Sequence, residues 1–185
     1  MAGEVRQRMV GSALQLIAER GVQGTSFADV LERSGAPRGS VYHHFPGGKD
    51  EMVRAAMDYM ATDGRAALKA LAGADPAGIV TGFVNLWRGL LKRDDFAVGC
   101  AVAGVTVTAE ADDLRAAART VFEAWVEDLA GLFVAAGVDE TRAEAFAWML
   151  LASTEGAVVI ARAQRSTRAL DIAEQQLLML ASHMA

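Results

Sequence analysis

A short stretch near the amino terminus carries a dense group of hydrogen-bond donors: Arg38, Ser40, Tyr42, His43 and His44. Val41 and Phe45 are four residues apart in the same stretch, so they share one face of a helix and are expected to point inward. The five polar side chains then remain outside. An exposed helix with these donors suits the phosphate oxygens and base edges of DNA.

Helix signals around this group predict a helix, a tight turn and a second helix. Ser26 can cap a short first helix, with Asp29 three residues later as its capping-box partner. Gly35 is placed to end that helix. Pro37 stands where a second helix, expected over residues 38–45, begins, because a missing N–H costs least there.

Other chemistry finds little support in the residue types. The chain has one cysteine and three histidines, and none of them stands at metal-ligand spacing. The adjacent His43 and His44 point about 100° apart on a helix, which is poor chelating geometry. We find no nucleophile–base pair at useful spacing and no phosphate-binding loop, so an enzyme is disfavoured. We therefore predict no catalytic residues, no metal and no cofactor.

The bulk composition indicates a cytoplasmic protein. With 185 residues, of which 52% are hydrophobic, the chain can bury a core of its own. Every apolar run of some eighteen residues is broken by charge or by helix punctuation, so we expect no membrane span. The first ten residues lack an apolar signal core. The single Cys100 excludes an internal disulfide and fits a reducing compartment.

The charge is unevenly distributed along the chain. The net charge is −5, yet residues 1–54 hold seven basic and six acidic side chains, and the remainder holds eleven and seventeen. The amino-terminal part is therefore only weakly positive. Affinity for DNA would depend on a few well-placed cations and on doubling of the site, rather than on a general positive field.

Helical patterns continue to the end of the chain and predict an all-α fold of about nine helices. Residues 96–109 are ambiguous, because their valines favour a strand whereas their small residues favour a buried helix. We expect a short helix there. The other predicted helices span about residues 4–20, 26–34, 38–45, 48–71, 76–92, 112–136, 139–164 and 167–182. We predict an amino-terminal three-helix head (1–48) on a larger helical body (49–185).

The stretch at residues 34–52 resembles the TetR family of bacterial transcriptional regulators. The family pattern is roughly Ala-Gly-Val-Ser-x-Gly-Thr-Leu-Tyr-His-Tyr-Phe, a short link and Lys-Glu-Asp-Leu, which residues 34–45 and 49–52 match. Two departures are Pro37, in place of a small hydroxyl residue, and a link at residues 46–48 that is one residue longer. The resemblance implies a helix-turn-helix head and a body for ligand binding and dimerisation.

The function implied by this resemblance is a ligand-responsive repressor. It would bind a palindromic double-stranded DNA operator as a homodimer and be released by a small hydrophobic effector. Two alternatives remain open at this point. One is a constitutive DNA-binding regulator without an effector, and the other is a small helical enzyme.

The resemblance also implies roles for individual residues at the DNA. Thr25 or Ser26, Tyr42, His43 and Lys49 would contact phosphates, and His44 belongs to the same outward set. Arg38, Gly39 and Ser40 would face base edges. Arg38 stands in the first turn of the second helix and can pair with guanine through two hydrogen bonds. Gly39 would let the backbone approach closely, and Lys49 lies near a helix amino terminus that attracts phosphate.

Aromatic residues of the body stand at helical spacing and form either a core or the wall of a cavity. The resemblance favours a cavity that includes Phe83, Trp87, Cys100, Phe122, Trp125, Trp148, Leu151, Ala152 and Glu155. A lone carboxylate on an apolar face is costly to bury, so Glu155 is either at a wet edge or a polar anchor. Cys100 lies in a Gly-Cys-x-Val pattern that resembles a subgroup linked to drug and flavonoid efflux control. That subgroup commonly has Pro where this chain has Ala101. A small buried thiol and a redox sensor are both open for Cys100.

The last two predicted helices carry apolar side chains suited to self-association. The predicted dimer interface comprises Phe146, Leu150, Ser153, Ala157, Ile160, Ala161, Leu170, Ala173 and Leu177. Two such helices can pair with their copies to form a four-helix bundle. Burial within one chain is the alternative.

Overall fold

The computed structural model describes residues 2–184 and confirms the predicted all-α fold. The described residues form nine helices and no strand. Their bounds are α1 Ala2–Arg20, α2 Phe27–Ser34, α3 Ser40–His44, α4 Gly48–Lys69, α5 Pro76–Arg93, α6 Ala101–Thr108, α7 Asp112–Ala135, α8 Glu140–Gln164 and α9 Arg168–Ala181.

The helix ends follow from local signals. The Ser26 side chain accepts the Asp29 N–H while the Asp29 carboxylate accepts the Ser26 N–H, which forms a complete capping box at the start of α2. Gly35 ends this helix in the left-handed region, at φ 64°, where a side chain would be strained. Asp75 caps α5 by accepting the Gly78 N–H at 2.7 Å, with Pro76 in the first turn.

Two elements differ in extent from their predictions. Helix α3 begins at Ser40 rather than at Arg38, because the Pro37 carbonyl accepts the Ser40 N–H at 2.9 Å and closes a tight turn before the helix. The ambiguous segment is helical only over α6, where the Cys100 Sγ accepts the Ala103 N–H. The residues before α6 form a loop in which Asp95 and Phe96 adopt positive φ values of 47° and 60°.

One compact unit comprises the residues up to Thr62 together with Cys100–Phe122. Helix α1 packs against both α2 and α6, and its buried stripe includes Met9, Ala13 and Ile17. The Thr108 hydroxyl oxygen of α6 accepts the Val22 N–H at 2.8 Å, so the end of α6 is hydrogen-bonded to the chain that leaves α1. This unit contains α2 and α3.

A second compact unit comprises Asp63–Gly99 and the chain from Glu123 onward. Helices α5, α8 and α9 pack together within it. Arg88 of α5 donates to Asp171 and Glu174 of α9 and thereby joins the two helices. The predicted boundary at residue 48 falls inside the first unit, and the division into a DNA-binding and a ligand-binding domain stays a prediction.

Helix α8 is long and apolar enough to pass a test for a membrane span. It has 25 residues and a mean hydropathy of 1.4 over its most apolar window. A core helix of a soluble protein passes the same test. Because α8 supplies buried residues to the core of its own unit, such as Leu150 and Ala161, its composition is explained by packing.

Candidate DNA interface and effector region

Helix α3 and the turn before it have one buried and one exposed face. Val41 and Phe45 are buried, as the sequence predicted, and they anchor α3 to its unit. The opposite face is exposed and carries Arg38, Gly39, Tyr42 and His43. Arg38 and Gly39 belong to the turn just before α3, and Tyr42 and His43 belong to α3 itself, so four exposed positions follow closely in one short segment. We call these four positions the outward row. The row offers guanidinium, phenol and imidazole donors to a DNA groove.

An aromatic contact holds Tyr42 on this face. The ring of Tyr42 meets the ring of Phe27 edge-on, with centroids 5.9 Å apart, while 71% of Tyr42 stays exposed. A groove of about 680 Å³ lies beside them, lined partly by Leu31, Ala36 and Arg38.

The structure separates the two hydroxyl residues expected near phosphates. Thr25 is only 1% exposed, and its hydroxyl donates to the Gly21 carbonyl at 2.9 Å, so it stabilises the end of α1 and is not available to a phosphate. Ser26 is exposed, yet its side chain is engaged in the capping box with Asp29. Ser40 is half-buried and donates to the Pro37 carbonyl at 2.6 Å. These three hydroxyl groups therefore all form hydrogen bonds within their own segment of the chain.

The link between α3 and α4 has two histidines at one end and Lys49 at the other. His43 is exposed and His44 half-buried, with their rings 5.2 Å apart. Lys49 is half-buried in the first turn of α4. The Glu51 carboxylate accepts the Gly47 N–H at 2.7 Å, so one backbone donor beside this helix start is already occupied. Attraction of phosphate to this point would depend on Lys49 more than on the free backbone.

Ion pairs decide which cations of the first unit are available. Arg33 binds Glu19 through two hydrogen bonds, and this bonding raises the pKa of the Arg33 guanidinium above its usual value. Arg20 pairs with Asp29 at 3.0 Å. Arg54 pairs with Asp113. In contrast, the ion pairs that the structure describes do not include four other cations of this unit: Arg6, Arg8, Arg38 and Lys49.

Arg6 was not identified from the sequence. Its guanidinium lies over the ring of the buried Phe45, 5.3 Å from the centroid, while the residue itself stays exposed. A signal was present, because Arg6 precedes Met9 and Val10 by three and four residues and so falls on the buried stripe of α1. A charge within an apolar stripe marks a side chain with a specific partner.

The predicted effector residues of the second unit divide into buried and exposed groups. Phe83, Trp87, Trp125 and Leu151 are buried. Trp125 lies against the backbone of α4 at Gly64, where an added Cβ would come within 2.3 Å of the indole nitrogen. Gly64 therefore leaves the space that this indole occupies. These four side chains have the burial expected of residues that form a core or surround an enclosed ligand.

Trp148 and Ala152 do not share that environment. Trp148 is 46% exposed and Ala152 is exposed, so the expectation that they face the interior with Leu151 is corrected. Trp148 instead borders a surface groove of about 490 Å³ between α7 and α8. The groove has an apolar floor, which includes Val126 and Ala130, and acidic walls, which include Glu127 and Glu144.

The remaining predicted effector residues differ in burial. Cys100 is buried, which fits a small packed thiol. Phe122 and Glu155 are half-buried. Their assignment to an effector site stays a prediction.

The structure also corrects the predicted self-association face. Most of its members are buried within the chain itself: Phe146, Leu150, Ala157, Ala161, Leu170 and Leu177. Ser153 and Ala173 are half-buried, and Ile160 is 49% exposed. The six buried side chains already pack inside one chain, so they cannot form the outward surface that the prediction required.

A different apolar stripe is exposed on the same two helices. On α8 it follows small and aliphatic residues at helical spacing: Ala145, Met149, Ala152, Gly156, Val159, Ile160 and Ala163. On α9 it includes Ile172, Met179 and Leu180. Small residues allow two helices to approach closely, and exposed aliphatic residues reward burial. We call these ten residues the α8–α9 stripe.

Two family descriptions match separate parts of the chain. Residues 10–56 match the family described as "Bacterial regulatory proteins, tetR family", and residues 76–176 match "Transcriptional regulator LmrA/YxaF-like, C-terminal domain". The chain is 38% identical over 179 residues to the uncharacterized HTH-type transcriptional regulator Rv0196 of Mycobacterium tuberculosis, covering 93% of this chain and 91% of that one.

Two further comparisons extend over nearly the whole chain. The HTH-type transcriptional regulator LmrA of Bacillus subtilis is 26% identical over 175 residues, covering 92% of this chain and 93% of the relative. The crystal structure of regulatory protein TetR from Rhodobacter sphaeroides superposes with a TM-score of 0.85 at 23% identity, covering 97% and 98% of the two chains. This last similarity concerns the fold.

Proposed function

Because this chain belongs to the TetR family of bacterial transcriptional regulators, we propose that it is a homodimeric, ligand-responsive repressor. It is a regulator with a helix-turn-helix DNA-binding domain, and its families and relatives are transcriptional regulators rather than enzymes. In the proposal, two heads bind a palindromic operator in the cytoplasm, and a small hydrophobic effector releases them.

The outward row of α3 is the single observation that carries the DNA-binding part of the proposal. Arg38, Gly39, Tyr42 and His43 are exposed together, while Val41 and Phe45 anchor the same segment to its core. A rigid helix with exposed donors is what direct readout in a major groove requires. Arg38 is in none of the described ion pairs of its unit, so its donors are available to a base edge.

Dimerisation is proposed because the charge of a single head predicts weak binding to DNA. Residues 1–54 have only one net positive charge, and four arginines of the first unit are engaged in ion pairs: Arg20, Arg33, Arg54 and Arg115. Joining two heads makes the second contact intramolecular and raises affinity through effective concentration. The α8–α9 stripe supports a symmetric pairing of two chains, because a two-fold interface needs one self-complementary apolar surface.

Selection of duplexes from a random library, followed by footprinting, tests the DNA-binding proposal. We expect the selected sites to contain two inverted half-sites whose centres lie about one DNA turn or a multiple of it apart. Arg38→Ala should lose roughly 1–3 kcal/mol of binding free energy and relax the base preference at one position in each half-site.

Arg33→Ala is the matched control for this experiment. It removes the same charge from the same unit, but its guanidinium is bound to Glu19. We expect the selected sequence and its affinity to be nearly unchanged. If Arg38→Ala instead binds the selected duplex with wild-type affinity and preference, the assignment of α3 as the recognition helix is wrong.

The effector part rests on the buried aromatic residues of the second unit and on the family of the carboxyl-terminal segment. Phe83, Trp87 and Trp125 are large apolar side chains that can surround a hydrophobic ligand. The Gly-Cys-x-Val pattern around Cys100, which resembles that of a subgroup linked to drug and flavonoid efflux control, supports an effector of that class. A ligand releases DNA only if it binds the DNA-incompetent state more tightly.

A thermal-shift screen against hydrophobic drugs and flavonoids tests the effector proposal. Ligands that stabilise the protein should quench tryptophan fluorescence and lower its affinity for the selected duplex. If stabilising ligands leave DNA affinity unchanged, or if a broad screen yields none, the constitutive regulator becomes the better reading.

A further inference from the structure

Arg6 occupies an unusual position on α1. It lies one turn before Met9 and Val10, on the stripe that packs into the core. This stripe reaches α3, because the Met9 sulfur is 4.0 Å from the Ser40 hydroxyl. Arg6 therefore lies on the part of α1 that is close to the segment from Ser40 to Phe45.

Stacking on Phe45 sets the orientation of the Arg6 side chain. The guanidinium carbon is 5.3 Å from the centroid of the Phe45 ring, and Phe45 is almost fully buried. A guanidinium held over an aromatic ring by a cation–π contact uses none of its N–H donors in that contact. The contact holds the charge in place without using its hydrogen bonds. The ion pairs described for this unit do not include Arg6.

The chain around Phe45 leads directly to the start of α4. The Gly48 N–H donates to the Phe45 carbonyl at 3.0 Å, which closes a turn, and Lys49 follows. Glu51 already accepts the Gly47 N–H, so this backbone donor is closed to an anion. A phosphate that passes the end of α3 would therefore depend on side-chain cations. Arg6 lies over the Phe45 ring at the start of this turn, and Lys49 follows Gly48 at its end.

We propose that Arg6 is a DNA-backbone contact whose guanidinium, stacked on Phe45, binds a phosphate beside the end of the recognition helix. The inference rests on the proposed function and adds a residue to it. The planar donor edge of Arg6 suits two phosphate oxygens of one group. As a phosphate contact it carries no sequence information, so it sets register and affinity rather than base preference.

Salt-dependent DNA binding by the full chain tests the proposal. We would measure fluorescence anisotropy with two labelled probes, the duplex selected by the protein and a random-sequence duplex of equal length, over a range of KCl concentrations. Arg6→Ala should weaken binding to both probes by a similar factor. The slope of log affinity against log salt should become shallower by about 0.9 for each bound head, the value of one lost phosphate contact on duplex DNA.

Two further variants separate the phosphate contact from a structural role. Arg6→Lys keeps the charge and loses the planar stack, so we expect it to keep most of the salt slope at reduced affinity. Arg33→Ala removes an arginine that Glu19 holds and should leave the slope unchanged. Arg6→Gln repeats the loss of charge with a side chain closer in length, in case Arg6→Ala folds poorly.

The results that overturn the proposal are distinct from those that overturn DNA binding. If Arg6→Ala and Arg6→Gln lower the melting temperature but keep the wild-type slope and affinity for both probes, Arg6 has only a structural role. If the wild-type chain binds neither probe, the proposed function fails and the Arg6 contact fails with it. A wild-type chain that binds with Arg38→Ala impaired and Arg6→Ala unaffected retains the function and refutes the Arg6 contact.

Discussion

At the scale of single residues, the outward row of α3 shows how side-chain type and local geometry combine. Tyr42 is kept exposed by an edge-on contact with Phe27, whereas the hydroxyl groups of Thr25 and Ser40 are turned toward nearby carbonyls. The donors available to DNA are therefore fewer than the polar residues in the segment. Gly39, the fourth member of the row, has no side chain and exposes only its backbone.

Gly39→Ala tests whether the backbone of this row approaches DNA. A Cβ at Gly39 would meet open space, and the residue has an ordinary φ of −73°, so the variant should fold as the wild type does. If the backbone lies against a base edge, the added methyl group should cost about 1 kcal/mol or more of operator binding per head. Anisotropy with the selected duplex and thermal unfolding measure the two effects.

The control is Gly89→Ala, the same change at an open position of α5 in the second unit. It should leave operator affinity unchanged. Equal affinity of Gly39→Ala and wild type would show that the backbone at residue 39 stays away from the DNA.

At the scale of the elements, α2 depends on its capping box. The helix has only eight residues, so the orphan N–H groups of its first turn form a large part of its backbone donors. The Ser26 side chain accepts the N–H of Asp29, and the Asp29 carboxylate accepts the N–H of Ser26. Hydrogen bonds from the Ser26 side chain and then from its backbone lower the pKa of the Asp29 carboxyl below its usual value of 3.8.

Ser26→Ala should destabilise the protein by about 1 kcal/mol, the usual cost of losing such a cap. Because the folded-state pKa of Asp29 is depressed, its contribution is present above pH 3.8 and is lost as the pH falls through the lowered value. Denaturant unfolding at neutral pH and in this acid range measures both effects. The variant should lose less stability on acidification than the wild type does. An unchanged unfolding midpoint at neutral pH would show that α2 does not need this cap.

Arg88 joins two elements of the second unit. Burial disfavours the Arg88 charge, but its hydrogen bonds to Glu174 and Asp171 outweigh burial and raise the pKa of the guanidinium above its usual value. Its side chain and that of Glu174 are both largely buried. Removing the arginine leaves Glu174 as a partly buried carboxylate without this partner, which is costlier than losing an exposed pair.

Arg88→Met should therefore lower the free energy of unfolding by roughly 2–3 kcal/mol, somewhat less than for a fully buried pair. Arg93→Met is the matched control. Its arginine pairs with Asp94 on the surface, so it should change stability by less than about 0.5 kcal/mol. Urea unfolding of both variants compares them directly. If Arg88→Met and Arg93→Met lose similarly small amounts of unfolding free energy, α5 and α9 are joined by apolar packing alone.

At the scale of the whole molecule, operator binding is expected to require two chains. The α8–α9 stripe is the surface we propose for their contact. Within it, Val159 is 63% exposed and Met179 is 54% exposed in the single chain. In a single chain these aliphatic side chains stay in contact with water, whereas burial between two chains would make a favourable contribution to the free energy of association.

Val159→Glu combined with Met179→Glu should convert a dimer to monomers without unfolding the chain. In the single chain both glutamates would face solvent, whereas in a symmetric dimer they would bury unpaired like charges. Sedimentation should show the change in mass, and operator affinity should fall although the head is unaltered. Val107→Glu alters a valine that is 82% exposed on α6 and should leave the mass unchanged. A wild-type chain that is monomeric at micromolar concentration and still binds its operator tightly would contradict this model.

Much of the fold follows from local signals in the sequence. Ser26 and Gly35 predicted the two ends of α2 because a helix terminus is determined by a few adjacent residues. The exposure of Arg38, Tyr42 and His43 was also predictable, since Val41 and Phe45 define the buried face by their spacing. Ser40 and His44, which were expected outside as well, are half-buried. These features depend on interactions within one turn or one helix.

Other features depended on the tertiary structure because they join residues far apart in sequence. Arg88 and Glu174 lie 86 positions apart, and no pattern along the chain relates them. Helix α8 is apolar on more than one side, so periodicity alone did not distinguish its buried face at Leu150 from its exposed face at Val159. The positions of α5, α7 and α9 against α8 decide which side is covered. The sequence thus determined where the helices and most of the outward row lie. Tertiary packing decided which charged side chains are ion-paired and which apolar face is left exposed.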